Sequence, residues 1–215
     1  MSVCVRVWGD SACFTRPEFK AERVTYDVMT RSAAKGIMDG IYWHDFCQWI
    51  IEDLYVCKPG TFGQVRRNEI KNLLNSSGMI TAIRNHGELP SIDPAEDRTQ
   101  RSTIYLKDVE YVIRARLDAD LSKVDIHKVW GIIHARLRKG AAYHQPYLGC
   151  REHPAFFEEV QGPPDSCPIQ LIGKIDLGRM FWGMDWSDVN NPKPLFHHAV
   201  MENGHISFPE RGQLA

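Results

Sequence analysis

The first hydrophobic positions of the chain alternate. Val3, Val5 and Val7 fall on one side and Cys4, Arg6 and Trp8 on the other, a period of two that predicts a strand through SVCVRVWGD. A polar loop over Ser11 to Met29 follows. The period then lengthens in RSAAKGIMDGIYW, where Ala34, Ile37, Met38, Ile41 and Tyr42 share one helical face behind Thr30 as N-cap. FCQWIIEDLYVC, rich in β-branched and aromatic residues, predicts a second strand ended by Lys58, Pro59 and Gly60. Residues 61 to 100 are polar and proline-bearing and predict a hairpin or partly mobile insertion. Alternation resumes in STIYLKDVEYVIRARLDAD, with Val109, Tyr111, Ile113, Ala115 and Leu117 facing one way and Arg114 and Arg116 the other.

The next segment, DIHKVWGIIHARLRKG, reads as a helix capped by Asp125 and stopped by Gly140. At roughly 100° per residue, Ile126, Val129, Trp130, Ile133 and Leu137 form its apolar side. His127, Gly131, His134 and Arg138 stack opposite, flanked by Lys128 and Lys139, without one acid between Ile126 and Lys139. An ordinary solvated face mixes signs, so a one-sign face points to an anionic partner. HQPYLGCRE supplies a further strand candidate. The order β-α-β, insertion, β-α-β predicts an α+β fold: a ferredoxin-like βαββαβ domain with a four-stranded antiparallel sheet and two helices on one face. On this reading the domain spans 1–153, with the insertion at about 60–100. Residues 154–215 form a small antiparallel β-rich C-terminal domain, with strands in IQLIGKIDLG and HISFP on either side of a VNNPKP turn.

Composition sharpens this picture only in part. Of the 215 residues 43% are hydrophobic and 25% charged, as expected of an ordinary globular chain. The net charge of −1 hides an asymmetry: residues 1–150 carry 21 Lys and Arg against 18 acids, and residues 151–215 carry 5 against 9. Any affinity for nucleic acid must therefore reside in local patches. Candidate phosphate contacts are Arg66 and Arg67 in the insertion, Arg114 and Arg116 on a strand face, and His134, Arg138 and Lys139 on the basic helix, with Tyr143 and His144 as stacking partners for bases. A surface ion pair fits each arginine equally well. No apolar run reaches the roughly 18 residues needed to span a bilayer, so no membrane role and a cytoplasmic location are expected. The six cysteines lack C-x-x-C spacing and read as reduced thiols. There is no P-loop, G-x-S-x-G or H-E-x-x-H, and the adjacent His197 and His198 lack zinc spacing, so neither metal nor cofactor is expected.

RVWGDSACFTRPEFKAERVTYDVMTRSAAKGIMDGIYW, VRRNEI, RKGAAYHQPYLGCREHPAFF and AVMENGHISFP resemble, in order and over nearly the whole chain, the CRISPR-associated protein family five in its type I-C (Dvulg) subtype. The resemblance implies a RAMP-superfamily fold. It implies a metal-independent endoribonuclease that cuts the CRISPR repeat transcript (pre-crRNA) and stays on the crRNA 5′ handle as a subunit of a type I-C Cascade complex. In the wider family the protein holds the handle without cutting, so a non-catalytic RNA clamp is the alternative, and binding of duplex DNA can accompany either. The subtype's catalytic tyrosine corresponds to Tyr42, and its catalytic lysine, twelve residues before the glycine of RKG, to Lys128. Val129 stands where some members carry a histidine. His127, beside that lysine on the basic stripe, is ranked ahead of His134 as its replacement.

Overall fold

In the computed structural model, which describes residues 2–19 and 21–214, the elements in chain order are β1 (Ser2–Ala12), β2 (Arg23–Val24), α1 (Arg31–Ile41), β3 (Cys47–Ile70), α2 (Ser76–Arg84), β4 (Arg98–Ala119), α3 (Ile126–Lys139), β5 (Phe156–Val160), β6 (Lys174–Asp185), β7 (Lys193–Glu202) and β8 (His205–Ser207). β1 lies antiparallel to β4, with Val5 opposite Ile113, and antiparallel to β5, with Trp8 opposite Phe156. With β3 beside β4, the order β5-β1-β4-β3 is that of a ferredoxin-like sheet. The sheet continues through β8, β7 and β6, because β8 pairs antiparallel with β3 at Asp53, Leu54 and Tyr55. β2 pairs with β4 off this path.

Period-two burial decides which way each strand faces. Val3, Val5 and Val7 of β1 and Val109, Tyr111, Ile113, Ala115 and Leu117 of β4 are all buried, and they join one core with Ile37, Met38 and Ile41 of α1 and Val129, Trp130, Ile133 and Leu137 of α3. Both long helices therefore cover the same face. Their ends are set locally. The Thr30 hydroxyl accepts from the Ala33 amide at 3.3 Å, and Asp125 Oδ1 accepts from the amides of His127 and Lys128 at 3.0 and 3.3 Å. Gly140 closes α3 in the left-handed conformation, where a β-carbon would be strained.

Three local expectations change. Lys58-Pro59-Gly60 does not end the second strand: Gly60 takes a φ of 72° opposite Asp108 at 50°, Lys58 bonds Asp108 at 3.0 Å, and β3 runs on to Ile70. The turn residues are thus taken up within β3 without stopping it, the positive φ falling on a glycine. HQPYLGCRE forms no strand; the partner of β1 comes later, in Phe156–Val160, where Phe157 packs against the core beside the buried Ala155 that precedes the strand. The insertion also holds a helix, α2, which Asn75 caps by accepting from the amides of Ser77 and Gly78. Gln64–Thr103 forms a compact unit of its own, and Met1–Gly63 with Ile104–Ala215 forms the other.

The loop after α3 is tied back to the end of β1. Cys13 donates its amide to the Leu148 carbonyl at 3.0 Å, and Gly149 (φ 87°) lies so close to the Cys13 carbonyl that a β-carbon there would run into it. Gly149→Ala is expected to cost on the order of 3 kcal/mol, because it adds both a backbone clash and a strained φ. Thermal unfolding by circular dichroism should show the midpoint falling by roughly 6–12 °C for a chain of this size.

Candidate active site

Tyr42 is the residue at which α1 stops, with φ and ψ of −145° and 121°, and its placement is fixed from two sides. The Trp49 indole of β3 donates to the Tyr42 carbonyl at 2.9 Å, and that indole sits edge-on to Trp130 of α3 at 6.2 Å between ring centroids. Arg136 of α3 donates to the Ile41 carbonyl at 2.6 Å and lays its guanidinium 5.5 Å from the centre of the Tyr42 ring. Tyr42 is 5% exposed and belongs to the same core as the apolar sides of α1 and α3. Burial pushes the phenol pKa up, the Cys47 thiol adds to that, and the Arg136 charge opposes it.

Lys128 is exposed at the first turn of α3. It belongs to the ridge Lys128, Ile132, Arg136, three positions four residues apart, and so lies about 12 Å along the axis from Arg136 and roughly 80° round the helix from it. His127 is exposed on a different ridge, the stripe that continues through His134. That stripe turns toward β5, where His134 Nδ1 meets Glu159 at 2.7 Å. The helix thus carries no acid itself, but an acid from another strand faces its basic stripe. Val129 is buried in the core.

The other sequence candidates separate by location. Arg114 and Arg116 lie on the sheet face away from the helices and are engaged by acids: Arg114 with Glu52 and Asp53 at 3.4 and 3.6 Å, Arg116 with Glu52 and Glu210 at 3.3 and 3.6 Å. Arg138 and Lys139 are exposed at the end of α3. His144 donates its amide to the Gly40 carbonyl at 2.9 Å, which holds the segment after α3 against the last turn of α1, and its ring meets Tyr143 edge-on at 4.4 Å. Arg66, exposed, and Arg67, half-buried, belong to the second unit. The residue that sequence reasoning missed is Arg136. Its place in the last turn of the helix reads as a response to the helix dipole, and no local pattern shows that it reaches the end of α1.

Among solved structures, that of a functionally uncharacterized protein from Streptococcus mutans, SMU1763c, aligns over 100% of this chain and 95% of its own length, with a TM-score of 0.69 at 24% identity. A crystal structure described as a CRISPR-associated protein aligns over 100% and 94%, with a TM-score of 0.67 at 23% identity. At these identities the likeness concerns the fold. Sequence gives the family: residues 2–209 match the profile Cas_Cas5d, CRISPR-associated protein (Cas_Cas5), and the chain belongs to that family. It is similar to two proteins named CRISPR pre-crRNA endoribonuclease Cas5d. One, from Mannheimia succiniciproducens, is 38% identical over 95% of this chain and 93% of its own; the other, from Thermus thermophilus, is 32% identical over 95% and 90%.

Because burial disfavours the phenolate, Tyr42 should keep its proton above the ordinary tyrosine value near 10. An ultraviolet pH titration of the protein minus that of Tyr42→Phe should isolate one phenol that ionises above pH 10. A component that ionises at or below 10 would contradict the assignment of burial as the dominant influence.

Proposed function

We propose that this chain is a metal-independent endoribonuclease that cleaves CRISPR repeat RNA and stays on the 5′ handle of its product within a type I-C Cascade complex. The reading rests on family membership together with one observation: α3 presents Lys128 on the same ridge whose Arg136 covers Tyr42. RNA supplies its own nucleophile. The 2′-hydroxyl attacks the adjacent phosphorus while the bond from phosphorus to the 5′-oxygen breaks, which leaves a 2′,3′-cyclic phosphate and a 5′-hydroxyl. Tyr42 keeps its proton at neutral pH and so has one to donate to the departing 5′-oxygen, and the Arg136 charge beside the ring favours the phenolate this leaves. The exposed ammonium of Lys128 is suited to the charge that develops on the non-bridging oxygens. His127, one residue away and unburied, is the proposed acceptor for the 2′-hydroxyl proton.

RNA holding extends along the same helix to Arg138 and Lys139, both exposed, and to His134. These cations also offer a track for duplex DNA. Arg66 and Arg67 remain candidate phosphate contacts on the second unit, and Arg114 and Arg116 would have to exchange their carboxylate partners for phosphates. A second reading, a non-catalytic RNA clamp, draws its support from Val129, whose burial leaves no imidazole at the position after Lys128.

Incubation of the purified protein with end-labelled repeat RNA in excess chelator separates the two. Wild type is expected to cut, with Tyr42→Phe and Lys128→Ala each slowing the single-turnover rate by at least about 100-fold at little cost in RNA affinity, and His127→Ala by about 10-fold or more. Wild type that binds the RNA and leaves it intact would make the chain a clamp. Normal cutting by His127→Ala would remove that histidine from the mechanism and leave Tyr42 and Lys128 in place.

A further inference from the structure

Two of the free cysteines meet where the end of β1 touches the segment after α3, and neither has a part in the reaction described above. Cys13 follows β1 directly and is fully buried; Cys150, 137 positions later, is half-buried. Their backbones are in close contact. The Cys13 amide donates to the Leu148 carbonyl at 3.0 Å, and Gly149 leaves no room for a β-carbon against the Cys13 carbonyl. Both sulfurs converge on one hydroxyl, with Thr15 Oγ1 lying 3.8 Å from Cys13 Sγ and 3.7 Å from Cys150 Sγ. Cys150 Sγ also reaches the Cys13 carbonyl, at 3.5 Å. Cysteines held this close need only side-chain rotation to bring their sulfurs to the bonding distance of about 2 Å.

The two thiols differ in the way a reactive pair requires. A hydrogen bond between them is the largest influence on each: it draws the Cys150 pKa down to about 6 and pushes that of Cys13 up. At Cys150 burial and Glu152 oppose the shift, while Thr15 and the Arg23 charge add to it. Cys150 is therefore a thiolate at neutral pH, beside a thiol that keeps its proton. Burial raises the thiols of Cys4, Cys47 and Cys57, so an oxidant reacts with Cys150 in preference to those three.

We propose that Cys13 and Cys150 form a reversible disulfide, made on exposure to a peroxide, that clamps the segment after α3 to the end of β1. The Cys150 thiolate attacks one oxygen of hydrogen peroxide; the S–O bond forms as the O–O bond breaks, hydroxide leaves, and the sulfur is oxidised to a sulfenic acid. Cys13 sulfur then attacks the sulfenic sulfur. The S–S bond forms, the S–O bond breaks, and the Cys13 proton leaves with the hydroxyl as water. A dithiol reverses the bond by exchange. The clamped segment is the one whose His144 amide holds the Gly40 carbonyl, so oxidation fastens to β1 a span already tied to the last turn of α1.

The test treats the full chain, reduced and then freed of reductant, with a small excess of hydrogen peroxide, alkylates the remaining thiols and maps the peptides by mass spectrometry. Wild type should yield a linked pair of peptides containing Cys13 and Cys150, which dithiothreitol separates and which Cys150→Ser lacks. Cys13→Ala should strand the oxidation at the sulfenic acid, so that dimedone labels Cys150 at least about tenfold more than in wild type. Oxidation should raise the thermal midpoint of wild type by about 5 °C or more, because the bond closes a long loop in the unfolded chain, and should leave that of Cys150→Ser in place. Peroxide that leaves both cysteines open to alkylation, or links either to a different cysteine, would overturn the proposal. A linked protein with an unchanged or lower midpoint would overturn it too, since the bond would then clamp nothing. The wild-type peptides decide the matter even if Cys13→Ala fails to fold, and neither RNA nor cleavage enters the measurement.

Discussion

The seam between the end of α1 and the last turn of α3 is the constraint on which the helical face depends. A helix C-terminus leaves carbonyls without intrahelical partners, and here Arg136 satisfies the one at Ile41 while Trp49 satisfies the next at Tyr42. Two side chains from different elements thereby fix the backbone on either side of the peptide that carries the phenol into its place. Trp49 in turn packs edge-on to Trp130, so α3 is referenced to the same point through its apolar side. Loosening any of these contacts would free Tyr42 relative to the ridge that carries Lys128, and reacting groups lose effectiveness steeply with misplacement of about 1 Å.

Charge is divided between the two faces of the sheet. On the face away from the helices the arginines are met by carboxylates: Arg6 by Glu110 and Glu158, Arg114 and Arg116 by Glu52 and its neighbours. On the helical face, Lys128, Arg138 and Lys139 stand exposed at the two ends of α3. A chain with a net charge of −1 can thus present a local cationic surface, since binding of a polyanion responds to the charges it touches and to salt.

Much of this was legible in the residues. Alternation fixed the faces of β1 and β4, and helical spacing with Thr30, Asp125 and Gly140 fixed α1 and α3, because in each case a local rule and the tertiary need coincide. The strand order of the ferredoxin-like sheet followed from the order of elements. What escaped was non-local. Lys58-Pro59-Gly60 carries every sign of a stop, yet β3 passes through it, with Gly60 close against Lys107 and Val109 of β4. HQPYLGCRE looks like a strand because its apolar residues are needed by the core, yet they reach it from a loop held by Gly40 and Cys13. The uniform sign of α3 hid Glu159, which arrives from β5, and the spacing of Arg136 gave no hint that its target was the neighbouring helix. Residue types suggested candidates for the chemistry; the partners those candidates meet were set by topology.

The central claim is that the phenol of Tyr42 and the ammonium of Lys128 address one phosphate. The most direct measurement is an experimental structure of the protein bound to repeat RNA made uncleavable by a 2′-deoxy substitution at the scissile nucleotide. The account expects the scissile phosphate between α1 and α3, with the Tyr42 hydroxyl and Lys128 Nζ each about 3 Å from its oxygens. A scissile phosphate seated on the other face of the sheet, against Arg114 and Arg116, would contradict it.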